Sequence, residues 1–333
     1  MSRCEQMAEA EQTELTGQVG DQDNIVRIER LTKRYGDVTA LSECCLNVGR
    51  GEVFGLLGPN GAGKTTMIRL MMGFLQPSSG RCLIDGFDPL TDGVGLRERV
   101  AYLPGDVRLP RHMRGGGVLK FFADIHPFGS LQRSQEVADR LELQTRRRVG
   151  SMSTGMRQKL ALSVVLGLNT PLLILDEPTA NLDPTIRASV LDLVLKARDA
   201  GRTVMFSSHV LSEIEDTCDR VAFLRRGKLD RELAIADLFQ RHRITALPPA
   251  HAVTVPAEYR ERVTVQETQQ GRTREIQIDT AGDLAPLLAW VASLRLEQMR
   301  IEPLGLRVVY DSVHNGAPGM PGNAVGTTMG SSQ

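Results

Sequence analysis

Residues 58–65 read Gly58-Pro59-Asn60-Gly61-Ala62-Gly63-Lys64-Thr65, a glycine, four further residues and then Gly-Lys-Thr. In this phosphate-binding pattern, the glycines let successive backbone N–H groups turn toward phosphate oxygens at the N-terminus of a helix. An apolar run at 53–57 precedes the loop, and an apolar helical pattern from Lys64 to Phe74 follows it. We therefore expect Lys64 to reach the β- and γ-phosphates of a ligand and the Thr65 hydroxyl to bind Mg²⁺.

A second chemical element lies at 172–177, where a short apolar run ends in Asp176 and Glu177. A carboxylate at the end of a buried strand, next to a phosphate loop, suits the water shell of Mg²⁺. Glu177 would then be placed to polarise an attacking water. Strands that end in two acids are common, and it is the upstream loop that favours this functional interpretation.

The segments around these motifs alternate between short apolar runs and helical patterns. After the acidic pair, Asp183 can cap a helix and Pro184 suits its first position, and another apolar run follows at 203–206. Strands that alternate with helices predict an α/β fold with a largely parallel sheet covered on both faces. The stretch from about 106 to 167 has a mostly helical pattern, broken early by the glycines at 115–117, and is predicted to be a helical subdomain.

The pattern of apolar residues changes after about residue 240. A helical stripe runs from Leu284 to Leu294, and three period-two segments precede it, at Val253/Val255, Val263/Val265 and Ile276/Ile278. The two ends of the chain are polar or rich in Gly, Pro and Ser. The sequence therefore predicts four segments: a disordered N-terminal extension at 1–24, an α/β domain at 25–240, a small accessory α+β domain at 245–313 and a flexible tail at 314–333.

Composition narrows the class of protein. The 333 residues include 40 Lys plus Arg and 40 Asp plus Glu, so binding to nucleic acid or anionic membranes driven by net charge is not expected. No apolar run approaches the ~18 residues that suggest a membrane span, and the N-terminus lacks the apolar core of a signal peptide. The five cysteines are odd in number and lack paired metal-ligand spacing. A cytoplasmic location is predicted.

At this point the chain resembles the ATP-binding cassette (ABC) ATPases, the nucleotide-binding subunits of transporters. In that family the Asp-Glu pair continues into Pro-Thr and a short loop, as residues 176–183 do here. The family signature, usually Leu-Ser-Gly-Gly-Gln, is similar to residues 152–156, which retain Ser153 and Gly155. The resemblance covers about residues 25–235 and implies a P-loop NTPase fold of the ABC type, with ATP and Mg²⁺ as cofactors.

The resemblance also implies roles for individual residues. It makes His209, directly after a strand, the switch histidine, and Tyr35 the aromatic that stacks on adenine. Ser153 and Gly155 would touch the γ-phosphate of ATP bound to a facing cassette. The implied catalytic residues are Lys64, Glu177 and His209, and the implied metal ligands are Thr65 and Asp176. The implied nucleotide-binding residues are Tyr35, Gly58, Pro59, Asn60, Gly61, Ala62, Gly63, Lys64, Thr65, Thr66, Ser153, Gly155 and Asp183.

One position departs from the family pattern. The family usually has a Gln after the strand that here ends in Leu103-Pro104, and that Gln helps to hold Mg²⁺ and faces the membrane partner. This chain has Gly105 and Asp106 instead. Two interpretations stay open: Asp106 substitutes for the Gln, or the contact is lost and Asp106 only caps the loop.

The first functional hypothesis is the ATP-hydrolysing subunit of an ABC exporter. The sequence around Tyr102-Leu103-Pro104-Gly105 and at 153–159 is similar to the corresponding segments of export and drug-efflux cassettes. Its implied partners are a second copy or a paired cassette and a separate integral-membrane permease that handles a small-molecule cargo. The expected location is the cytoplasmic face of the membrane, and no nucleic acid is expected.

Two alternatives belong to other classes. One is a soluble ABC ATPase of translation control or DNA repair; the single phosphate loop and the short distance from loop to signature argue against it. The other is a regulatory nucleotide-binding module with little turnover, which the lost Gln would suit. The presence of both Glu177 and His209 argues against such a module.

Overall fold

The computed structural model describes residues 23–249, 253–270 and 273–315. The chain divides into two compact units, of which the first ends at Leu233 and the second begins at Ala234. The predicted N-terminal extension and the predicted tail lie almost wholly outside the described residues. Within the described residues, no helix combines the length and the apolarity needed to cross a membrane.

From residue 23 onward, the strands of the first unit form two sheets. A three-stranded antiparallel sheet has the order β2-β1-β4, and a six-stranded sheet has the order β5-β6-β7-β3-β8-β9. The strands are β1 (Asn24–Tyr35), β2 (Val38–Gly49), β3 (Val53–Leu57), β4 (Ser79–Ile84), β5 (Val100–Leu103), β6 (Leu172–Asp176), β7 (Thr203–Ser208), β8 (Arg220–Arg225) and β9 (Lys228–Ala234).

In the described part of the first unit, seven helices connect or cover these strands. They are α1 (Lys64–Met71), α2 (Gly93–Arg99), α3 (Gly115–Ile125), α4 (Leu131–Arg140), α5 (Thr154–Gly167), α6 (Pro184–Asp199) and α7 (Leu211–Thr217), with a short 3₁₀ turn at Val149–Ser151. Neighbouring strands from β5 to β8 run parallel, which confirms the predicted parallel sheet. Every residue of β3, β6 and β7 is buried, as expected where helices cover both faces.

Helix α1 is shorter than predicted. It ends at Met71, whereas the apolar pattern extends to Phe74. Gly73 explains the stop, because its φ of +68° is left-handed and a Cβ at this position would lie 2.3 Å from the carbonyl oxygen of Pro89. The chain therefore turns out of the helix where only glycine fits.

Helices α3, α4 and α5 share a hydrophobic core of their own, which includes Val118, Ala138 and Leu160. The glycines at 115–117 do not break this region. They form the first turn of α3, where Gly115 N–H donates to the carbonyl of Arg147 at 3.0 Å. A Cβ on Gly115 would lie 3.0 Å from the carbonyl oxygen of Thr145, so glycine permits this close approach of backbone to helix.

The second unit contains a four-stranded antiparallel sheet in the order β11-β12-β10-β13, with helices. Its elements are α8 (Ile235–Phe239), β10 (Arg241–Ala246), a 3₁₀ turn (Ala257–Tyr259), β11 (Val263–Gln270), β12 (Thr273–Ala281), α9 (Ala285–Ser293), β13 (Arg300–Pro303) and α10 (Leu306–Asn315). The core of this unit includes Ile244, Ile278, Leu287 and Val291.

Two details of the second unit differ from the sequence pattern. Val253 and Val255 lie in irregular backbone, not in a strand. Pro256 follows them directly, and proline lacks the N–H that a sheet ladder needs. In α9, Leu287 and Val291 are buried, whereas Leu288 is 45% exposed, so the buried stripe is narrower than the pattern suggests.

Candidate active site

The loop between β3 and α1 has the backbone that the sequence pattern predicts. Gly61 and Gly63 have φ values of +79° and +114°, which L-residues with side chains rarely adopt. A Cβ on Gly58 would lie 2.3 Å from the carbonyl oxygen of Leu224 on β8. The glycines are therefore required by the turn itself and by its close packing against a neighbouring strand.

Lys64 begins α1 and is almost fully buried. Its Nζ donates to the carbonyl oxygen of Gly58 at 2.6 Å and lies 3.4 Å from Oε1 of Glu177. A buried ammonium group needs such partners, because its desolvation is costly. The arrangement holds the lysine at the mouth of the loop, where an incoming phosphate oxygen could replace either partner.

Asp176, the last residue of β6, is only 1% exposed and accepts a hydrogen bond at each carboxyl oxygen. Thr65 Oγ1 donates to Oδ2 at 2.9 Å, and Ser207 Oγ donates to Oδ1 at 2.6 Å. Adjacent hydroxyl and carboxylate oxygens are the hard donors that Mg²⁺ prefers, so the residues present fit this ion.

Burial, the larger cause, and the negative charge of Asp176 together raise the pKa of Tyr102 to about 12. This phenol therefore stays protonated near neutral pH.

Glu177 follows directly and faces both Lys64 and His209. Its Oε2 lies 2.7 Å from Nδ1 of His209, which follows β7. The backbone of Glu177 is left-handed, with φ +51°, and its N–H donates to Ser207 Oγ at 3.1 Å. Such a conformation costs about 1–3 kcal/mol and persists only where surrounding contacts hold it, most often at functional sites.

Five predicted residues therefore come together: Lys64, Thr65, Asp176, Glu177 and His209. The strand order explains this, because β6 and β7 are neighbours, β7 pairs with β3, and all three run parallel. Their carboxyl ends meet at one edge of the sheet, where α/β proteins bind ligands. We refer to these five candidate site residues as the catalytic cluster. Thr66, also predicted, lies half-buried in the first turn of α1.

The other predicted residues make local contacts. Ser153 Oγ accepts from Met156 N–H at 3.2 Å and caps α5, and Asp183 caps α6 by accepting from Ile186 N–H at 3.1 Å. Tyr35 is 48% exposed. Within the described part of the chain, no hydrogen bond or ion pair joins Tyr35, Ser153 or Asp183 to the catalytic cluster.

The structure also places two residues in the site that the sequence analysis missed. Ser207 bonds to Asp176, as described above. Gln158, 4% exposed on α5, donates from Nε2 to the carbonyl oxygen of Pro178 at 3.1 Å and so ties the signature helix to the loop after β6. For Gln158, the available signal in the sequence was a polar residue just before the long apolar run of α5. For Ser207, it was the Ser-Ser pair at the end of β7.

Asp106 does not lie at the metal position. Its Oδ2 accepts from Arg108 at 2.9 and 2.8 Å, and its side chain is 72% exposed. The residue beside Asp176 is Gly105, where a Cβ would lie 3.4 Å from Oδ2 of Asp176. Asp106 caps no helix, since α3 begins only at Gly115, and its side chain pairs within its own loop. This placement agrees with the second interpretation, in which the contact of the family Gln is lost, and not with the first.

The comparisons with known proteins decide the family. The ABC transporter family matches residues 41–180, which contain the phosphate loop, the signature-like segment and the Asp176-Glu177 pair. The ABC transporter ATP-binding protein YdbJ of Bacillus subtilis is 36% identical over 214 residues, which are 63% of this chain and 70% of that protein. The chain belongs to the ABC transporter ATP-binding proteins.

Further matches agree with this assignment. The daunorubicin resistance ATP-binding protein DrrA3 of Streptomyces coeruleorubidus is 35% identical over 63% of this chain and 68% of its own length. A solved structure of an ATP-binding subunit of an ABC transporter superposes with a TM-score of 0.59 at 26% identity, covering 64% of this chain and 91% of that one. The predicted ABC fold and transporter class are thereby confirmed, and this cassette is an ATP-binding and ATP-hydrolysing subunit.

Proposed function

We propose that this cassette powers the export of a small molecule through a separate integral-membrane permease, from the cytoplasmic face of the membrane. The observation that carries the proposal is the catalytic cluster, in which a buried lysine, two acids, a threonine and a histidine meet at one sheet edge. The relative named for daunorubicin resistance supports a drug-like cargo.

ATP binding is assigned to the loop and to Lys64. The backbone N–H groups of residues 58–63 take the phosphates, and Lys64 exchanges its contacts with Gly58 and Glu177 for β- and γ-phosphate oxygens. This exchange releases Oε1 of Glu177. Thr65 and Asp176 are the residues that would hold Mg²⁺, which supplies neutralisation of the triphosphate charge. Tyr35 stacks on the adenine.

Hydrolysis is assigned to Glu177. A water oxygen bonds to the γ-phosphorus while the bond between that phosphorus and the β–γ bridging oxygen breaks, and Glu177 takes the proton from the water. His209 orients Glu177 through the 2.7 Å contact between Nδ1 and Oε2. ADP and phosphate are the products.

The complete site is assigned to a pair of cassettes. Ser153 and Gly155 start α5 and make no hydrogen bond with the catalytic cluster of their own chain, within the described residues. They are therefore available to a facing cassette, which is a second copy or a different paired chain. Closure of the pair on ATP, and its reopening after hydrolysis, would drive the permease.

Pairing predicts that ATPase activity per chain rises with protein concentration in the dilute range, measured as phosphate release.

A mixture of two inactive variants gives a sharper test of pairing. Lys64→Ala disables the loop and Ser153→Asn disables the signature, while asparagine preserves the helix cap. Each variant alone should be inactive, and mixing them should restore activity, because the mixed pair contains one complete site. Parental activity at every dilution, together with no restoration on mixing, would contradict pairing.

Export itself is tested in cells. A drug-sensitive host that carries this cassette with its permease should retain less daunorubicin fluorescence than the same host carrying the Glu177→Gln cassette. The inactive cassette keeps expression and assembly matched between the two strains. Equal accumulation in both strains would contradict export of this class of compound.

Asp106→Ala should leave the Mg²⁺ dependence of ATP hydrolysis unchanged. The reason is the exposed pairing of Asp106 with Arg108, away from Asp176. An exposed ion pair contributes at most about 1 kcal/mol, so stability should also change little. A Mg²⁺ titration of the ATPase rate checks this, and a large shift of its midpoint would return Asp106 to the metal site.

A further inference from the structure

A buried acid links the two loops behind the catalytic cluster. Glu213 lies in the first turn of α7 and is 5% exposed. Its Oε2 accepts two hydrogen bonds, from Thr179 Oγ1 at 2.9 Å and from Ser208 Oγ at 2.8 Å. Thr179 lies in the loop after β6, whereas Ser208 ends β7, so a single oxygen atom joins two separate segments.

These segments are the ones that carry Glu177 and His209. Thr179 is two residues after Glu177, and Ser208 directly precedes His209. On the opposite side, Glu177 Oε2 lies 2.7 Å from Nδ1 of His209. Hydrogen bonds and short backbone stretches thus close a ring. Its members are Glu213, Thr179, Glu177, His209 and Ser208. In such a ring, the separation of Thr179 from Ser208 constrains the separation of Glu177 from His209.

The sheet alone does not hold these groups together. The pairing of β6 with β7 ends at Asp176 and Ser207, so Thr179 lies beyond the ladder. Glu177 lies beyond the ladder too. Its N–H donates to the backbone oxygen and to Oγ of Ser207, and its left-handed conformation needs support from its surroundings. Glu213 supplies a fixed acceptor where the sheet pairing stops.

Glu213 also lowers the stability of the fold. Its second oxygen, Oε1, is buried and has no hydrogen-bond partner in the described part of the chain. A buried polar atom without a partner lowers stability, and an apolar side chain of similar shape would avoid this cost. Packing therefore does not account for an acid at this position, whereas the bridge between the two loops does.

We propose that Glu213 is a positioning residue for ATP hydrolysis, which holds the loop of Glu177 and the end of β7 in the register that the Glu177–His209 contact requires. The proposal rests on the assigned role of Glu177 as the base. Glu213 acts through Thr179 and Ser208 and touches neither ATP nor the attacking water.

The test begins with three variants. Glu213→Ala removes the acceptor and should lower kcat by about 10–100-fold, the range typical when an orienting partner of an active-site group is lost, with the KM for ATP nearly unchanged. Glu213→Gln keeps an amide oxygen that can accept from both hydroxyls and should recover most of kcat. Asp216→Ala changes an exposed acid on the same helix and should keep the parental kcat.

A double variant separates positioning from general destabilisation. In the Glu177→Gln background the base is already absent, so adding Glu213→Ala should cause no further loss of the residual rate. An equal loss in both backgrounds overturns the proposal, and so does a parental kcat for Glu213→Ala. Parental turnover in Glu177→Gln alone would instead overturn the proposed role of Glu177, so the two failures are distinguishable.

A second route applies if Glu213→Ala does not fold. Thr179→Val combined with Ser208→Ala removes both donors and leaves the acid in place. The folded double variant should show a several-fold lower kcat at nearly unchanged KM, as a misplaced base requires. Parental kcat in this variant overturns the proposal.

Discussion

Glu177→Gln is expected to lower the rate of ATP hydrolysis by about 10²–10⁴-fold, the usual cost of losing a general base, while ATP still binds. The amide cannot take a proton from water, yet it keeps the size of the side chain and an oxygen that can face His209. Lys64 and the phosphate loop are untouched, so nucleotide affinity should be retained. Phosphate release and equilibrium ATP binding measure the two effects separately.

A matched control is available for the backbone strain at this position. Glu142 is another glutamate with a left-handed backbone, with φ +54°, and it is exposed and remote in sequence from the cluster. Glu142→Gln should keep the parental rate of ATP hydrolysis.

We also expect the Glu177→Gln protein to accumulate as a long-lived ATP-closed pair. Parental hydrolysis by Glu177→Gln would remove Glu177 from the catalytic role.

Asp176→Asn is expected to raise the Mg²⁺ concentration needed for ATP hydrolysis by at least about 10–100-fold, since even the outer partners of metal ligands have effects of this size. Asparagine keeps the shape of the side chain, and its amide can still pair with the hydroxyls of Thr65 and Ser207. The fold should therefore survive, because no buried group loses its partner. A Mg²⁺ titration of the ATPase rate and a thermal melt report the two properties.

Ser207→Ala provides the comparison for Asp176→Asn. It removes one donor to Asp176 but leaves the carboxyl group, so the Mg²⁺ midpoint should shift much less than in Asp176→Asn. A Mg²⁺ midpoint unchanged in Asp176→Asn would exclude Asp176 from the metal site. A protein that melts at a much lower temperature would show instead that the carboxyl group supports the fold.

The accuracy of the sequence-based expectations follows the range of the interactions involved. Strand β3, the cap at Asp183 and the proline at the start of α6 agree with the pattern because each depends on a few consecutive residues. Helix α1 ends early and the glycines at 115–117 enter a helix because distant backbone, at Pro89 and Thr145, decides both cases. Neither partner is visible in the local pattern.

The sequence by itself determined the chemistry of this cassette: a glycine loop that can enclose phosphate, a lysine and a threonine at its end, and an acid pair after an apolar strand. These features are local, since backbone conformation and side-chain type within a few residues suffice for them. The tertiary structure decided which side chains meet. Parallel pairing of β3, β7 and β6 brings Thr65, Ser207 and Asp176 within hydrogen-bond distance, although more than a hundred residues separate Thr65 from Asp176. It also turned Asp106 toward Arg108 and placed Glu213 behind both loops, because hydrogen bonds between distant segments depend on the packing of the whole sheet.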